Sequence, residues 1–317
     1  MRVLQECETD ASFGKPPSQR TLAELLESGI VIVDKPCGPS SHEVTAFVGK
    51  ILGTKKSGHA GTLDPNVSGV LPVALGRATR VLQYIGVERK KYVCIIRFAK
   101  DIPFEKASTV LQSFVGTIVQ TPPKMSAVKK VARQRSIYAL GALEMKGRDL
   151  LFEVECESGT YIRTLCVDAG KKVGGARMLE LRRISVGGIA EGSAHTLQEI
   201  SDAAYFAKET EDETEVRAMV QPIENLLAIP KISIKDSAVE AICAGAPLNA
   251  PGVCAIDGKF EQGASVAIMT LKGELGAIAK AAAASARIAG MQGGKVASVE
   301  RVFMQRGTYP IGWKQRG

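Results

Sequence analysis

The spacing of apolar positions along the chain predicts short helices and strands in alternation. Thr21 and Glu24 form a capping box at the head of TLAELLES and Gly29 closes it, predicting a helix over 21–28. The β-branched run at 30–33 predicts a strand, and the prolines and glycine of DKPCGPSS a loop. A second capping box, Ser40 with Glu43, opens a helix running to about Leu52. Residues 57–80, SGHAGTLDPNVSGVLPVALGRATR, keep no steady period and read as a long turned loop ending near a short helix. Loops of that length inside a compact domain are usually functional or disordered, and Val70, Leu71, Val73, Ala74 and Leu75 argue that this one is packed. YVCIIRF (92–98) and LLFEVEC (150–156) predict strands, and 104–115 a helix closed by Gly116. Ile162, Leu165, Cys166, Ala169 and Val173 make a helical stripe that ends at Gly174 and Gly175. Arg163 lies off that stripe, in the first turn, placed to reach a loop beyond the N-terminal end.

The acidic run KETEDETE at 208–215 packs poorly, and after Pro230 the chain turns rich in Ala and Gly, which puts a domain boundary near residue 229. By propensity alone 274–289 reads as helix. The 317 residues, 45% hydrophobic and 23% charged, can bury real cores, which excludes disorder and a small disulfide scaffold and fits two domains. No apolar run reaches the ~18 residues of a membrane span, and acids stand where a signal peptide would be basic and then apolar, so a cytoplasmic protein is expected. Seven scattered cysteines, with no C-x-x-C pair, predict reduced and mostly buried thiols. The net charge of +8 permits a nucleic-acid partner without showing one.

His42, His59 and His195 have no metal-ligand spacing, and neither a phosphate-binding nor a dinucleotide-binding glycine motif is present, so chemistry without a cofactor is favoured. Asp64 in GTLDP precedes Pro65, which pushes it out of the helical region and projects its side chain from the loop. An Asp in such a place is as readily a turn residue bonding its own backbone. Arg163, a cation against the helix dipole, asks for a carboxylate, and an Arg beside a partly buried carboxylate keeps it ionised as a nucleophile requires. Basic clusters at Lys55/Lys56, Arg77/Arg80, Arg89/Lys90/Lys91, Lys129/Lys130/Arg133/Arg135 and Lys171/Lys172/Arg177/Arg182/Arg183 flank the elements that carry the two, as a polyanion laid across them would need.

Taken in order, GIVIVDKPCGPSSHEV (29–44), GHAGTLDPNVSGVLPVALGRATR (58–80), KKYVCIIRF (90–98), PPKMSAVKK (122–130) and SGTYIRTL (158–165) with LRR (181–183) resemble the TruB-type pseudouridine synthases. Within them the chain is most similar to the archaeal catalytic subunit of H/ACA ribonucleoproteins, the counterpart of dyskerin. Ahead of LRR it reads GGARMLE, with Arg177, where that family often carries a Gly-Ala-His step. The resemblance implies an α+β fold: a mixed, largely antiparallel synthase sheet with flanking helices over 1–228, including an N-terminal arm 1–28, and a small PUA β-barrel over 229–317. It replaces the helix at 274–289 by a strand at 275–283, paired with 266–271 through the Lys272-Gly273 turn.

The implied reaction breaks the N1–C1′ bond of a uridine in RNA, turns the uracil and rejoins it through C5, with no metal or cofactor. Asp64 would be the catalytic carboxylate, as nucleophile or as base, Tyr92 the aromatic on the flipped base, and Arg163 the partner of Asp64. His59, Leu181 and Lys35 are carried over as substrate-site residues, Lys35 with Pro36 also as supports of the loop, and Gly245, Ala246 and Leu248 as PUA residues on RNA. The implied partners are an H/ACA guide RNA, target rRNA with tRNA as a further candidate target, and small H/ACA ribonucleoprotein proteins, with no membrane. A stand-alone enzyme acting on the T-loop of tRNA, and a non-catalytic RNA-binding scaffold, are the alternatives.

Overall fold

The computed structural model describes residues 1–86, 88–121 and 131–311; PPKMSAVKK (122–130) lies outside the described residues. The chain forms two compact units, Ile30–Val220 and Met1–Gly29 with Gln221–Gly317. The sequence reading joined residues 1–28 to the catalytic segment; the arm instead folds with the C-terminal residues, because its anchors lie there.

The larger unit is built on a mixed sheet in which Gly29–Lys35, Ser68–Leu75, Ala176–Val186, Arg89–Phe98, Asp149–Glu157, Arg133–Lys146 and Gly116–Gln120 lie side by side in that order. Ser68–Leu75 corrects the reading of 57–80 as irregular: it is a buried strand, antiparallel to Gly29–Lys35 with Ile32 opposite Pro72. Its Gly69 and Pro72 are strand-weakening residues that hid the pattern. Both capping boxes form, heading the helices Leu22–Ser28 and Ser41–Ile51. The stripe beginning at Ile162 becomes the helix Ile162–Lys171, burying Ile162, Leu165, Cys166 and Ala169 against the sheet. Along Arg89–Phe98 burial alternates residue by residue, so Lys90, Tyr92, Cys94, Ile96 and Phe98 share the inner face. A bulge at Lys91/Tyr92 then sets Tyr92 opposite Arg183.

In the smaller unit a mixed sheet curls round a core that includes Ile232, Ile268, Ala277 and Val296. Leu275–Ala281 is a strand paired with Ser265–Met269, Val266 opposite Ala279, so sheet pairing overrides alanine's helical propensity. Arg2–Val3 adds itself to Val253–Asp257. The Lys272 ammonium donates to the carbonyls of Asp10 (2.8 Å) and Phe13, and half-buried Arg20 makes a two-pronged pair with buried Glu224 (2.9 and 2.7 Å).

The expectation of reduced thiols fails at one pair: Cys7 and Cys254 are disulfide-bonded. They stand 247 residues apart and meet only because the first strand pairs with the one holding Cys254, so no spacing could announce the bond. Closing so long a loop restricts the unfolded chain, and a native disulfide is worth ~2–4 kcal/mol. Cys7→Ser is therefore expected to lower the melting temperature by several degrees, an effect that dithiothreitol should reproduce in the parent chain and not in the variant. Equal melting temperatures would remove the bond from the stability of the protein.

Candidate active site

The residues between His59 and Ser68 connect two strands by a turn that neighbouring elements hold in place. Lys35, fully buried at the end of its strand, donates to the carbonyls of Pro36 (2.8 Å), Pro65 (3.1 Å) and Val67 (2.8 Å). The Ser41 hydroxyl, at the head of its helix, accepts from the Leu63 amide (2.8 Å) and donates to the Leu63 carbonyl (3.0 Å). Gly38 N–H donates to Pro65 O (3.0 Å), and Val67 N–H to Asp64 O (3.0 Å). Main chain on both sides of Asp64 is thereby fixed while its side chain stays in solvent.

Asp64 and Arg163 meet across 99 residues of sequence: Arg163 Nη2 donates to Asp64 Oδ2 at 2.8 Å. Both are exposed, 60% and 43% by side chain, so the pair stands where a substrate can reach it. Tyr92, Leu63, Val67 and Leu181 belong to the apolar cluster beneath. Burial pushes the Tyr92 phenol up to about 12, with the Arg183 guanidinium acting the other way, so it is neutral at physiological pH.

The other residues singled out in the sequence divide. Lys35 is corrected: with no exposed surface and three carbonyl acceptors it supports the loop and has no donor left for substrate. Leu181 is buried and sits opposite Cys94. His59 Nδ1 lies 2.9 Å from Thr45 Oγ1, whose own proton goes to Ser41 O (2.7 Å), so Nδ1 must be the donor. Its Nε2 then offers a lone pair toward Thr62 Oγ1 (3.4 Å), and burial, with His42 and Arg183 adding to it, lowers the ring's affinity for a second proton. In the smaller unit Gly245 is exposed with φ +88°, Ala246 half-buried, and Leu248 part of the core. Sequence reasoning missed the Ser41 clamp, and it counted Lys90 and Arg183 as surface charge although both are buried. The inward register of Lys90 was readable from the alternation of 90–98.

Comparison with known proteins bears on this geometry. Residues 49–162 match the TruB family pseudouridylate synthase N-terminal domain, 163–228 the tRNA pseudouridylate synthase B C-terminal domain, 230–303 the PUA domain and 1–45 the DKCLD domain. A probable tRNA pseudouridine synthase B from Pyrobaculum aerophilum is 48% identical over 97% of this chain and 93% of its own length. The chain belongs to the TruB family. A similarly named protein from Archaeoglobus fulgidus is 47% identical over 98% of this chain and 97% of its own length. Two solved structures superpose closely: a chain of an H/ACA ribonucleoprotein bound to a substrate RNA containing 2′-deoxyuridine (42% identity, TM-score 0.91, 99% of this chain and 96% of that one) and one of a Cbf5–Nop10–Gar1 complex (44%, 0.90, 98% and 95%). Among the described residues no helix is long and apolar enough to cross a membrane.

A TruB pseudouridine synthase isomerises uridine, so the uracil that is detached is also the group that is reattached. Water is not a reactant in the isomerisation, so no second carboxylate is needed to activate it, in contrast to glycoside hydrolysis.

Proposed function

We propose that this chain isomerises uridine to pseudouridine in rRNA, as the catalytic subunit of a guide-RNA ribonucleoprotein of the H/ACA kind, in the cytoplasm. The observation that carries the site is the 2.8 Å contact of Arg163 with Asp64 on a loop clamped from two sides. Asp64 acts at the ribose, as nucleophile or as base, and Arg163 orients its carboxylate through the Nη2 contact. Tyr92 carries the base, which leaves the RNA stack at a cost of a few kcal/mol recovered through stacking and edge contacts. His59 offers the flipped nucleotide an acceptor at Nε2, and Leu181 lines the apolar side.

The residues resembling a PUA module, from about 229 onward, take the guide RNA; Gly245 and Ala246 present backbone to it, and Leu248 holds that turn from the core. The likeness to chains solved with Nop10, Gar1 and substrate RNA supports small protein partners of that type. The names of the curated relatives favour a second reading, in which tRNA is modified without a guide.

The test is tritium release from [5-³H]uridine in two substrates: an unmodified tRNA transcript, and an rRNA target supplied with or without a hairpin guide ending in ACA. Release from the rRNA target only with the guide is the expected result. Guide-independent release from tRNA alone would establish the second reading, and no release from either would leave an RNA-binding scaffold.

A further inference from the structure

Beneath the catalytic turn lie two buried cations that the reading above does not use. Arg183 is fully buried, its Nε and Nη2 both donate to the Val70 carbonyl (2.8 and 2.6 Å), and its Nη1 has no hydrogen-bond partner among the described residues. Lys90 is buried beside it. Both heads press on the same point of the turn: a Cβ added to Gly61, which has φ +68°, would lie 3.2 Å from Arg183 Nη1 and 3.4 Å from Lys90 Nζ. The groups facing Lys90 are Arg183 and, on the adjoining strand, the Cys156 thiol. The carboxylates of that strand are engaged elsewhere: Glu153 pairs with Lys91, Glu155 with Arg89 and Glu157 with Arg135. Arg183 in turn faces the Tyr92 phenol, which also feels the charge of Asp64.

Two buried cations without a carboxylate between them are costly, and negative charge that forms during the reaction would offset that cost. Whichever way Asp64 acts, the N1–C1′ electron pair leaves on the uracil ring and spreads over its two carbonyl oxygens. It is used again when C5 bonds to C1′, after which the C5 hydrogen departs as a proton and N1 takes one up, so that the product is an isomer of the substrate. We propose that Lys90 and Arg183 form a cationic floor under Tyr92 and Gly61 that stabilises the detached uracil anion. They are positioning residues, acting through the Tyr92 phenol and the Gly61 turn across a low-dielectric gap. The inference rests on the proposed roles of Asp64 and Tyr92.

Lys90 can be switched off by pH. Burial first, and Arg183 second, push its ammonium down to about 8, against an opposing effect of Cys156, whose own thiol is pushed up to about 11. The charge is present below pH 8 and lost above it, so turnover should fall through that value, where neither Tyr92 nor Cys156 titrates. Stability has the opposite sign: the unfolded lysine keeps its proton to about 10.4, so the folding penalty is full below pH 8 and is relieved as pH rises from there to about 10.4.

The experiment uses the full chain and whichever of the two RNA assays the wild type turns over. Lys90→Met is expected to lower kcat about 100-fold with KM within threefold, and to melt no lower than wild type at pH 7. Wild-type kcat should show an alkaline limb near pH 8 that Lys90→Arg restores to full charge and moves above pH 9.5. A wild-type profile flat from pH 7 to 9.5, a Lys90→Met kcat within fivefold of wild type, or loss of folding and activity together in that variant would overturn the proposal. Asp64→Asn serves as the control: if it stays active the site reading itself has failed, whereas an inert Asp64→Asn beside an active Lys90→Met removes only the cationic floor.

Discussion

Asp64→Asn is expected to reduce pseudouridine formation by roughly 10⁴-fold or more, the scale seen when an enzyme loses its nucleophile, while RNA affinity changes by less than about threefold. The substitution keeps the shape of the side chain and removes its charge, so the oxygen that Arg163 contacts at 2.8 Å can no longer act as nucleophile or base. The turn should survive. It is fixed by Lys35 on Pro65 and Val67 and by Ser41 on Leu63, and the Asp64 side chain takes no part in those bonds. The lost ion pair is exposed on both sides and an exposed pair is worth only ~0–1 kcal/mol, so the melting temperature should hardly move. Tritium release under single-turnover conditions with filter binding on the same RNA separates the two quantities. Turnover within tenfold of wild type would take the catalytic role away from Asp64.

The second large effect is on folding. Gly69 has φ +104°, and it pairs with Arg183 so closely that an added Cβ would lie 2.1 Å from the Arg183 carbonyl oxygen. Gly69→Ala therefore meets backbone strain of ~1–3 kcal/mol and overpacking of ~1–3 kcal/mol, together roughly 4 kcal/mol. The clash falls where the strand leaving the catalytic turn adjoins the strand of Leu181 and Arg183, so the site has no slack to absorb it. Urea denaturation of the variant beside Gly53→Ala checks this, since Gly53 also has positive φ but open space around its Cβ. Equal midpoints for the two variants would show that strain alone, not the approach to Arg183, sets the cost.

Local signals were the legible part of this chain. Thr21 with Glu24 and Ser40 with Glu43 announce two helix starts because a capping box is complete within four residues. Asp64 was conspicuous through Pro65 and Arg163 through its place in a first turn, yet neither residue carries a mark of the other; only the fold spans the 99 positions between them. Charge hides burial in the same way. Lys90 and Arg183 looked like members of basic surface runs, and a composition count has no means of turning them inward. The strand period does, placing Lys90 in register with Tyr92 and Cys94. Ser68–Leu75 was misread because a glycine and a proline, ordinarily breakers, are here tolerated by the register with Gly29–Lys35 and the close contact with Arg183.

The bond between Cys7 and Cys254 makes the intervening chain a covalent ring, and the whole of Ile30–Val220 lies on its circumference. A protease that cuts once anywhere in that stretch opens the ring without releasing a fragment. The nicked protein would still run as a single molecule on a non-reducing gel, its two pieces parting only when the sulfurs are reduced.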